Sequence, residues 1–296
     1  TLDWRLNMKK FRKLKIFAKI CLCFIAFIVL CIGGVYFYIK SSPKLEIKSA
    51  NAFLMYDKNE ELFFQGSGSQ EWINLEDISP YLIKTTINTE DKHFYSHHGF
   101  DFLRILKAMY VNITSRSKSQ GASTISQQYA KNLFLDFDKT WERKINEMWL
   151  TMQLEVHYSK DEILEGYLNT INYGHGMYGI ENAARFYFDK SAKDLDLAES
   201  AMLAGIPKSP SYYSPIVNPD LARSRQLNIL NNLKKNKVIT NEEYESAKAE
   251  ELVLVGEKSD VNVANIMYYQ DAVMRELKEI NEIPSSYLET GGIRIY

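Results

Sequence analysis

The chain has 296 residues and a formal net charge of −1, with 36 Lys and Arg against 37 Asp and Glu. That length suits one large domain or two modest ones. The near-neutral balance excludes an overall field that would draw nucleic acid, and a hydrophobic share of 46% is usual for a chain with a core.

The charge is unevenly spread. Lys9, Lys10, Arg12, Lys13, Lys15 and Lys19 crowd the N-terminus, and Ile20 to Ile39 follows without a single charge. As a helix rising about 1.5 Å per residue, this run spans roughly 30 Å, the thickness of a hydrocarbon core. Buried soluble helices rarely need that length of uncharged sequence. A cleaved signal peptide fits poorly too. The run is long for an h-region, and Ser41-Ser42-Pro43-Lys44 is a poor cleavage site. The reading is an uncleaved anchor: a basic cytoplasmic tail over 1–16, a transmembrane signal anchor over 17–39 and the remainder outside. Tyr36 and Tyr38 suit the outer interface. Met8 reads as a natural start after an upstream extension. All three cysteines, Cys21, Cys23 and Cys31, lie in the anchor, so the outer part has no disulfide framework and no thiolate metal site.

Residues 40–74 read as a linker with short strands. Ala52 to Tyr56 and Glu61 to Phe64 flank the turn-like Asp57-Lys58-Asn59-Glu60. From Leu75 helical spacing takes over. Ile78, Leu82, Ile83 and Ile87 form one stripe; Leu103, Ile105, Leu106, Met109 and Ile113 form the next. Trp141, Ile145, Met148, Trp149, Met152 and Val156 form a third. Ile163, Leu164, Tyr167, Leu168 and Ile171 make a fourth, and Leu195, Ala198, Met202 and Leu203 a fifth, stopped by Gly205 and Pro207. Leu221 to Leu254 reads as two helices broken near Lys237. Lys190 and Lys234 fall on solvated faces. Gly291 to Tyr296 reads as the opening of a strand, so 253–296 is expected to be a junction towards a further domain.

Chemistry concentrates between Thr89 and Asn132. Glu90-Asp91 opens the turn Lys92-His93-Phe94-Tyr95-Ser96-His97-His98-Gly99. A charged neighbour in Asp91 and desolvation by Phe94 and Tyr95 would both raise the pKa of Glu90 towards a useful base. His93 and His97 are four apart but lack a third ligand, so a hydrogen-bonding role in the loop is expected rather than a metal pair. Gly121-Ala122-Ser123-Thr124 turns sharply into a helix, with Ser123 or Thr124 as N-cap. Backbone amides at such a start favour anions. Gln127 and Lys131 share a helical face, as do Gln128 and Asn132. Further on, Lys139, Arg143 and Lys144 precede Glu147. Arg143 and Glu147 can be an ordinary pair one turn apart. In the sharper reading Lys131, Lys139 and Arg143 neutralise a pyrophosphate, and Glu147 holds those cations, or a divalent ion, in place.

These segments resemble, in order and spacing, the motifs of the bacterial peptidoglycan glycosyltransferases, glycosyltransferase family 51. That module occurs in class A penicillin-binding proteins and in monofunctional transglycosylases. Glu90-Asp91, Phe94, His97 and Gly99 match the first motif. Gly121, Ser123, Thr124, Ile125, Gln127 and Gln128 match the second, with Ser126 where Thr is commoner. Arg143-Lys144 and Glu147 match the third; Lys160 to Leu164, Tyr167, Leu168 and Asn169 match the fourth. Gly179, Ala183, Ala184, Tyr187 and Phe188 resemble the fifth, and the likeness runs from Leu75 to Leu252. Lys139 stands where Arg is frequent, which keeps charge and loses bidentate contact.

The resemblance implies a mainly α fold: a glycosyltransferase domain over 75–252 made of a lysozyme-like helical lobe and a smaller membrane-facing lobe, with the N-terminal transmembrane helix and a few short strands before it. It implies polymerisation of lipid II into β-1,4-linked glycan strands with inversion and release of undecaprenyl pyrophosphate. Glu90 and Glu147 would be catalytic. Ser123, Thr124, Gln127, Gln128, Lys131, Asn132, Lys139, Arg143 and Lys144 would bind substrate. Asp91, Phe94, His97, Gly99, Gly121, Tyr167 and Asn169 would be structural. No cofactor is required, with Mg²⁺ or Mn²⁺ at Glu147 as the candidate ion. Partners would be lipid II, the growing strand, the cytoplasmic membrane and other wall-synthesis, division or elongation proteins, with no nucleic acid. Two other readings compete. A lytic transglycosylase or muramidase also uses a Glu but has no need of Lys131, Lys139 and Arg143. A non-catalytic membrane scaffold would not need Glu90 and Glu147.

Overall fold

A computed structural model describes residues 2–45, 54–56, 62–65, 72–115, 121–134, 141–256, 276 and 294–295. The chain falls into two units, Thr1–Leu45 and Glu46–Tyr296. The first unit is dominated by one helix, α1 (Leu2–Ser41). Its Lys19–Ser41 stretch is long and apolar enough to cross a membrane, by length and composition. Leu22, Phe24, Phe27, Leu30 and Phe37 are exposed along it, as expected of a helix that is apolar all round. Residues 2–16 continue that same helix.

In the second unit β1 (Leu54–Tyr56) runs antiparallel to β2 (Leu62–Gln65) and parallel to β3 (Arg294–Ile295), giving the order β2-β1-β3. The first two strands fall where short apolar runs flank a polar cluster; Asp57 to Glu60 themselves lie outside the described residues.

The rest of the described unit is helical. α2 (Pro80–Glu90) starts on Ser79, whose side chain accepts the Tyr81 N–H, with Pro80 in the first turn. α3 (Phe102–Thr114) starts on Asp101, whose carboxylate takes the Arg104 N–H at 2.9 Å. α4 (Ile125–Phe134), α5 (Trp141–His157) and α6 (Lys160–Thr170) follow. Then come α7 (Ile180–Phe188), the short α8 (Leu197–Leu203), α9 (Pro219–Lys235) and α10 (Asn241–Ala249). Reciprocal capping boxes open α6 (Ser159 with Glu162) and α10 (Thr240 with Glu243), each satisfying two orphan donors. The break between α9 and α10 falls at Lys237, which takes a left-handed φ of 58°.

α6 is the hub. Ile163, Leu164, Tyr167 and Leu168 are buried on it, and α4 and α5 pack against it. Each such side chain is worth about 1.5–3 kcal/mol in burial. The approach of α4 is close enough to require glycine at 166, because a Cβ there would lie 2.0 Å from the Tyr129 hydroxyl. A second core joins α8, α9 and α10 through Leu197, Ala201, Ile229, Leu230, Leu233 and Ala247, and α2 packs on α8 and α9.

Two of the apolar stripes face outward. On α3, Leu103 is 77% and Ile113 70% exposed, with Leu106 and Met109 also open. On α5, Trp141 is 88% exposed, and Ile145 and Met148 are exposed beside it. Periodicity marks a face as apolar but does not say what covers it.

Candidate active site

α2 ends at Glu90, which is half-buried. Its backbone carbonyl accepts a hydrogen bond from Arg104 Nη1 on α3. Its Oε2 accepts one from Gln128 Nε2 on α4 at 2.9 Å. Gln128 Oε1 in turn accepts from the Tyr167 hydroxyl on α6 at 3.3 Å. Among the described residues, Glu90 Oε1 accepts nothing, so one carboxylate oxygen stays available to a substrate hydroxyl.

Asp91 departs from the expected role of a repelling neighbour. It is fully buried and turned to other partners. Its oxygens accept His97 Nε2 at 2.9 and 3.0 Å, and Oδ2 accepts the Ile125 N–H at 3.0 Å. Arg104 Nη1 lies 3.9 Å from Oδ1. The charge of Asp91 is thus spent on His97, Arg104 and the start of α4, where a helix favours an anion. Tyr95, expected to help desolvate Glu90, is exposed and donates to Asp161 at 2.9 Å. Phe94 is buried, with Lys160 Nζ 4.5 Å from its ring centroid.

The histidines serve the loop. His93 Nδ1 lies 2.8 Å from Asp101 Oδ2, while His97 holds Asp91. Gly99 has φ +87°, and a Cβ there would come 2.9 Å from Thr151 Cγ2. Its carbonyl accepts the Thr124 hydroxyl at 2.6 Å, which ties the loop to α4.

The start of α4 leaves fewer amides open to an outside anion than expected. Thr124 is the cap: Gln127 N donates to its hydroxyl at 3.2 Å, and Gln127 Oε1 accepts the Thr124 N–H at 3.1 Å. That is a capping box built with Gln. With Ile125 N on Asp91, the chain's own groups use the N–H donors of Thr124, Ile125 and Gln127. Gln127 is therefore a buried capping residue and does not share an open face with Lys131. Ser123 and Gly121 are exposed, and a Cβ at Gly121 would meet nothing within 4 Å. Lys131 is half-buried and Asn132 exposed on the later turns of α4.

On α5, Glu147 is buried and holds two cations of its own helix. Arg143 Nη1 is 3.5 Å from Oε2, and Lys144 Nζ bonds to Oε1. Lys139 lies outside the described residues. No group of three His, Cys, Asp or Glu that could hold a metal occurs among the described residues. With both Glu147 oxygens engaged by cations, the residues present do not fit a divalent ion there.

Asn169, expected to be structural, pins the incoming chain. Its amide accepts from Ile73 N at 3.0 Å and donates to Ile73 O at 2.9 Å. Two contributors were missed by reasoning from sequence, Arg104 and Glu155, and Ser126 was read only as a motif position. Ser126 donates to Glu155, which also takes Lys160 Nζ at 2.7 Å, so the starts of α4 and α6 meet the end of α5. Arg104 carried a usable signal, as a cation in the first turn of an otherwise apolar stripe. Glu155 carried none, because its partner Ser126 lies 29 residues away.

Known proteins are similar to this chain in sequence. The family model described as Transglycosylase matches residues 59–234. Penicillin-binding protein 2D of Bacillus subtilis (strain 168) is 48% identical over 225 residues, covering 76% of this chain and 33% of its own length. Penicillin-binding protein 1F of the same strain is 36% identical over 293 residues, covering 97% of this chain and 41% of its own. Penicillin-binding protein 1A of Neisseria gonorrhoeae is 44% identical over 214 residues, 72% of this chain and 27% of its own. The chain thus spans well under half the length of these curated relatives.

Proposed function

This chain belongs to the transglycosylase family, as the glycosyltransferase domain of class A penicillin-binding proteins, and on that premise we propose that it polymerises lipid II into β-1,4-linked glycan strands. Glu90 Oε1 takes the proton of the acceptor sugar's 4-hydroxyl. The acceptor's 4-oxygen bonds to the anomeric carbon of the donor, on the face opposite the pyrophosphate. The bond from that carbon to the pyrophosphate oxygen breaks, and undecaprenyl pyrophosphate leaves with the electron pair. The configuration inverts. Lys131, Lys139 and Arg143 meet the charge that develops on the leaving group. Glu147 keeps Arg143 and Lys144 in place, and no metal step is needed for that.

One observation carries the reading. Glu90 is half-buried and held through Oε2 alone, while Asp91 beside it is buried and fully engaged. Two adjacent carboxylates are thus divided into one that reacts and one that builds. The paired cations on buried Glu147 have no use in cutting a strand, which disfavours the lytic alternative. α1 supplies the membrane attachment a lipid-linked substrate requires. We place its basic end in the cytoplasm and the helical domain outside, beside the growing strand and other wall-synthesis proteins.

The test is the purified chain with labelled lipid II in detergent. A ladder of glycan strands is expected, reduced about 10²–10⁴-fold by Glu90→Gln, which keeps shape and removes basicity. Shortening of preformed strands with lipid II untouched would establish the lytic reading. A Glu90→Gln variant within threefold of the parent would remove Glu90 from the reaction.

A further inference from the structure

We infer that Gln128 and Tyr167 are positioning residues for Glu90, with the Tyr167 hydroxyl fixing which end of the Gln128 carboxamide meets the carboxylate. The inference rests on Glu90 acting as the base. A carboxamide is nearly symmetric in shape, yet one end donates and the other accepts. Facing Glu90 with its N–H, Gln128 holds the carboxylate; facing it with its oxygen, Gln128 repels it. The two ends differ here only in their second partner. Gln128 Oε1 takes the Tyr167 hydroxyl at 3.3 Å, which leaves Nε2 for Glu90 Oε2 at 2.9 Å.

Tyr167 is suited to that task. Burial, and then the charge of Glu90, hold its phenol well above the usual tyrosine pKa, so it remains a donor. At 1% exposure it cannot touch a substrate. Its helix is held by the Ser159–Glu162 capping box and by buried Ile163, Leu164 and Leu168. Its hydroxyl donates its hydrogen bond to Gln128, and that bond is its route to the reaction. The arrangement also selects the reacting oxygen: with Oε2 held, Oε1 receives the proton. Gln128 then acts on the base, where sequence reasoning had assigned it to substrate.

The experiment measures kcat, KM and the pH profile of kcat/KM on lipid II for the full chain and its variants. Tyr167→Phe, which deletes only the hydroxyl, should lower kcat about tenfold with KM within about twofold. It should also move the acidic limb of kcat/KM to higher pH. The sign follows because a donor to the carboxylate favours its charged form, and loss of that donor makes the group more basic. Gln128→Leu should shift the limb in the same direction and lower kcat further. The double variant should be no worse than Gln128→Leu alone, since the hydroxyl acts only through the amide. A Gln128→Leu variant that raises KM alone would overturn the inference in favour of a substrate contact. Additive losses in the double variant, or a Tyr167→Phe loss with an unmoved limb, would overturn it in favour of packing. If Tyr167→Phe does not melt cooperatively, Gln128→Asn, which shortens the reach to Glu90, must show the same limb shift or the inference fails. Glu90→Gln is run in parallel. Its retention of activity would defeat the base reading itself, whereas failure of the relay alone leaves Glu90→Gln inactive.

Discussion

Asp91 Oδ2 accepts the backbone N–H of Ile125 at 3.0 Å, across 34 residues of sequence. This single bond turns the residue next to the base into a joint between the loop after α2 and the start of α4. His97 on the same carboxylate closes the loop over it. Because Glu90 and Asp91 are adjacent, whatever fixes Asp91 also fixes the backbone from which Glu90 projects.

Asp91→Asn is therefore expected to destabilise the fold as well as impair activity. The amide keeps the volume but puts an NH2 where a carboxylate oxygen accepts from His97 or from the Ile125 N–H, leaving a buried donor without its acceptor. An unsatisfied buried donor costs about 1–3 kcal/mol. Denaturant unfolding of the detergent-solubilised chain checks this. Unfolding within about 0.5 kcal/mol of the parent would mean that Asp91 is not the joint.

Lys131→Ala and Arg143→Ala should each lower kcat by about 10²–10³, the usual loss when a group aimed at developing charge is removed. The comparison needs a lysine with no partner to lose. Lys190 and Lys234, assigned to solvated faces by sequence, do not qualify. Lys190 Nζ is 2.6 Å from Glu199 Oε1, and Lys234 Nζ sits 3.7 Å from the Tyr244 ring centroid. Lys235, exposed at the end of α9, is the better control. Steady-state rates on lipid II decide it, and equal small losses at all three positions would remove the cations from the mechanism.

Much of this was legible in the chain. The helices followed their apolar spacing, and α9 and α10 separate at Lys237 where the pattern breaks. The cap of α4 was legible only to within a residue: Ser123 and Thr124 are both candidates, and the sequence reads Gln127 as a substrate-facing side chain where the structure pairs it with Thr124 in a capping box. What sequence could not give is direction. The stripes on α3 and α5 are as regular as those of the core, but Leu103 and Trp141 face outward. Long-range polar pairs were equally hidden. Nothing local distinguishes Asp91, which builds, from Glu90, which remains half-open, because their partners lie on α3 and α4.

Gly166→Ala should test how tightly α4 and α6 meet. The added Cβ would lie 2.0 Å from the hydroxyl and 2.3 Å from Cζ of Tyr129, so the ring must move. Overpacking of this kind costs about 1–3 kcal/mol, more than the helix propensity gained over glycine. Because Gln128 and Tyr167 flank this contact in sequence, activity should fall with stability. A variant as stable as the parent would show that the two helices can separate at low cost.

Stability should fall as pH drops below about 6.5, the ordinary histidine value, in part through His175. Its Nε2 lies 2.8 Å from Ser214 Oγ, its Nδ1 is buried without a partner, and Phe186 and Tyr187 pack against the ring. Burial holds its pKa below 6.5. The sign is then set. Above 6.5 the ring is neutral in both states and costs nothing. As pH falls from 6.5 towards the lower folded value, the unfolded chain binds a proton that the folded chain refuses, and the balance shifts to the unfolded state. The backbone sharpens the constraint, since His175 has a left-handed φ of 52° between Gly174 and Gly176. His175→Asn, which tolerates that φ and does not titrate, should flatten the dependence. Thermal unfolding of both chains between pH 7.5 and 5.5 checks this: the parent should lose more Tm over that range than the variant, and parallel curves would show that His175 is not among the groups responsible.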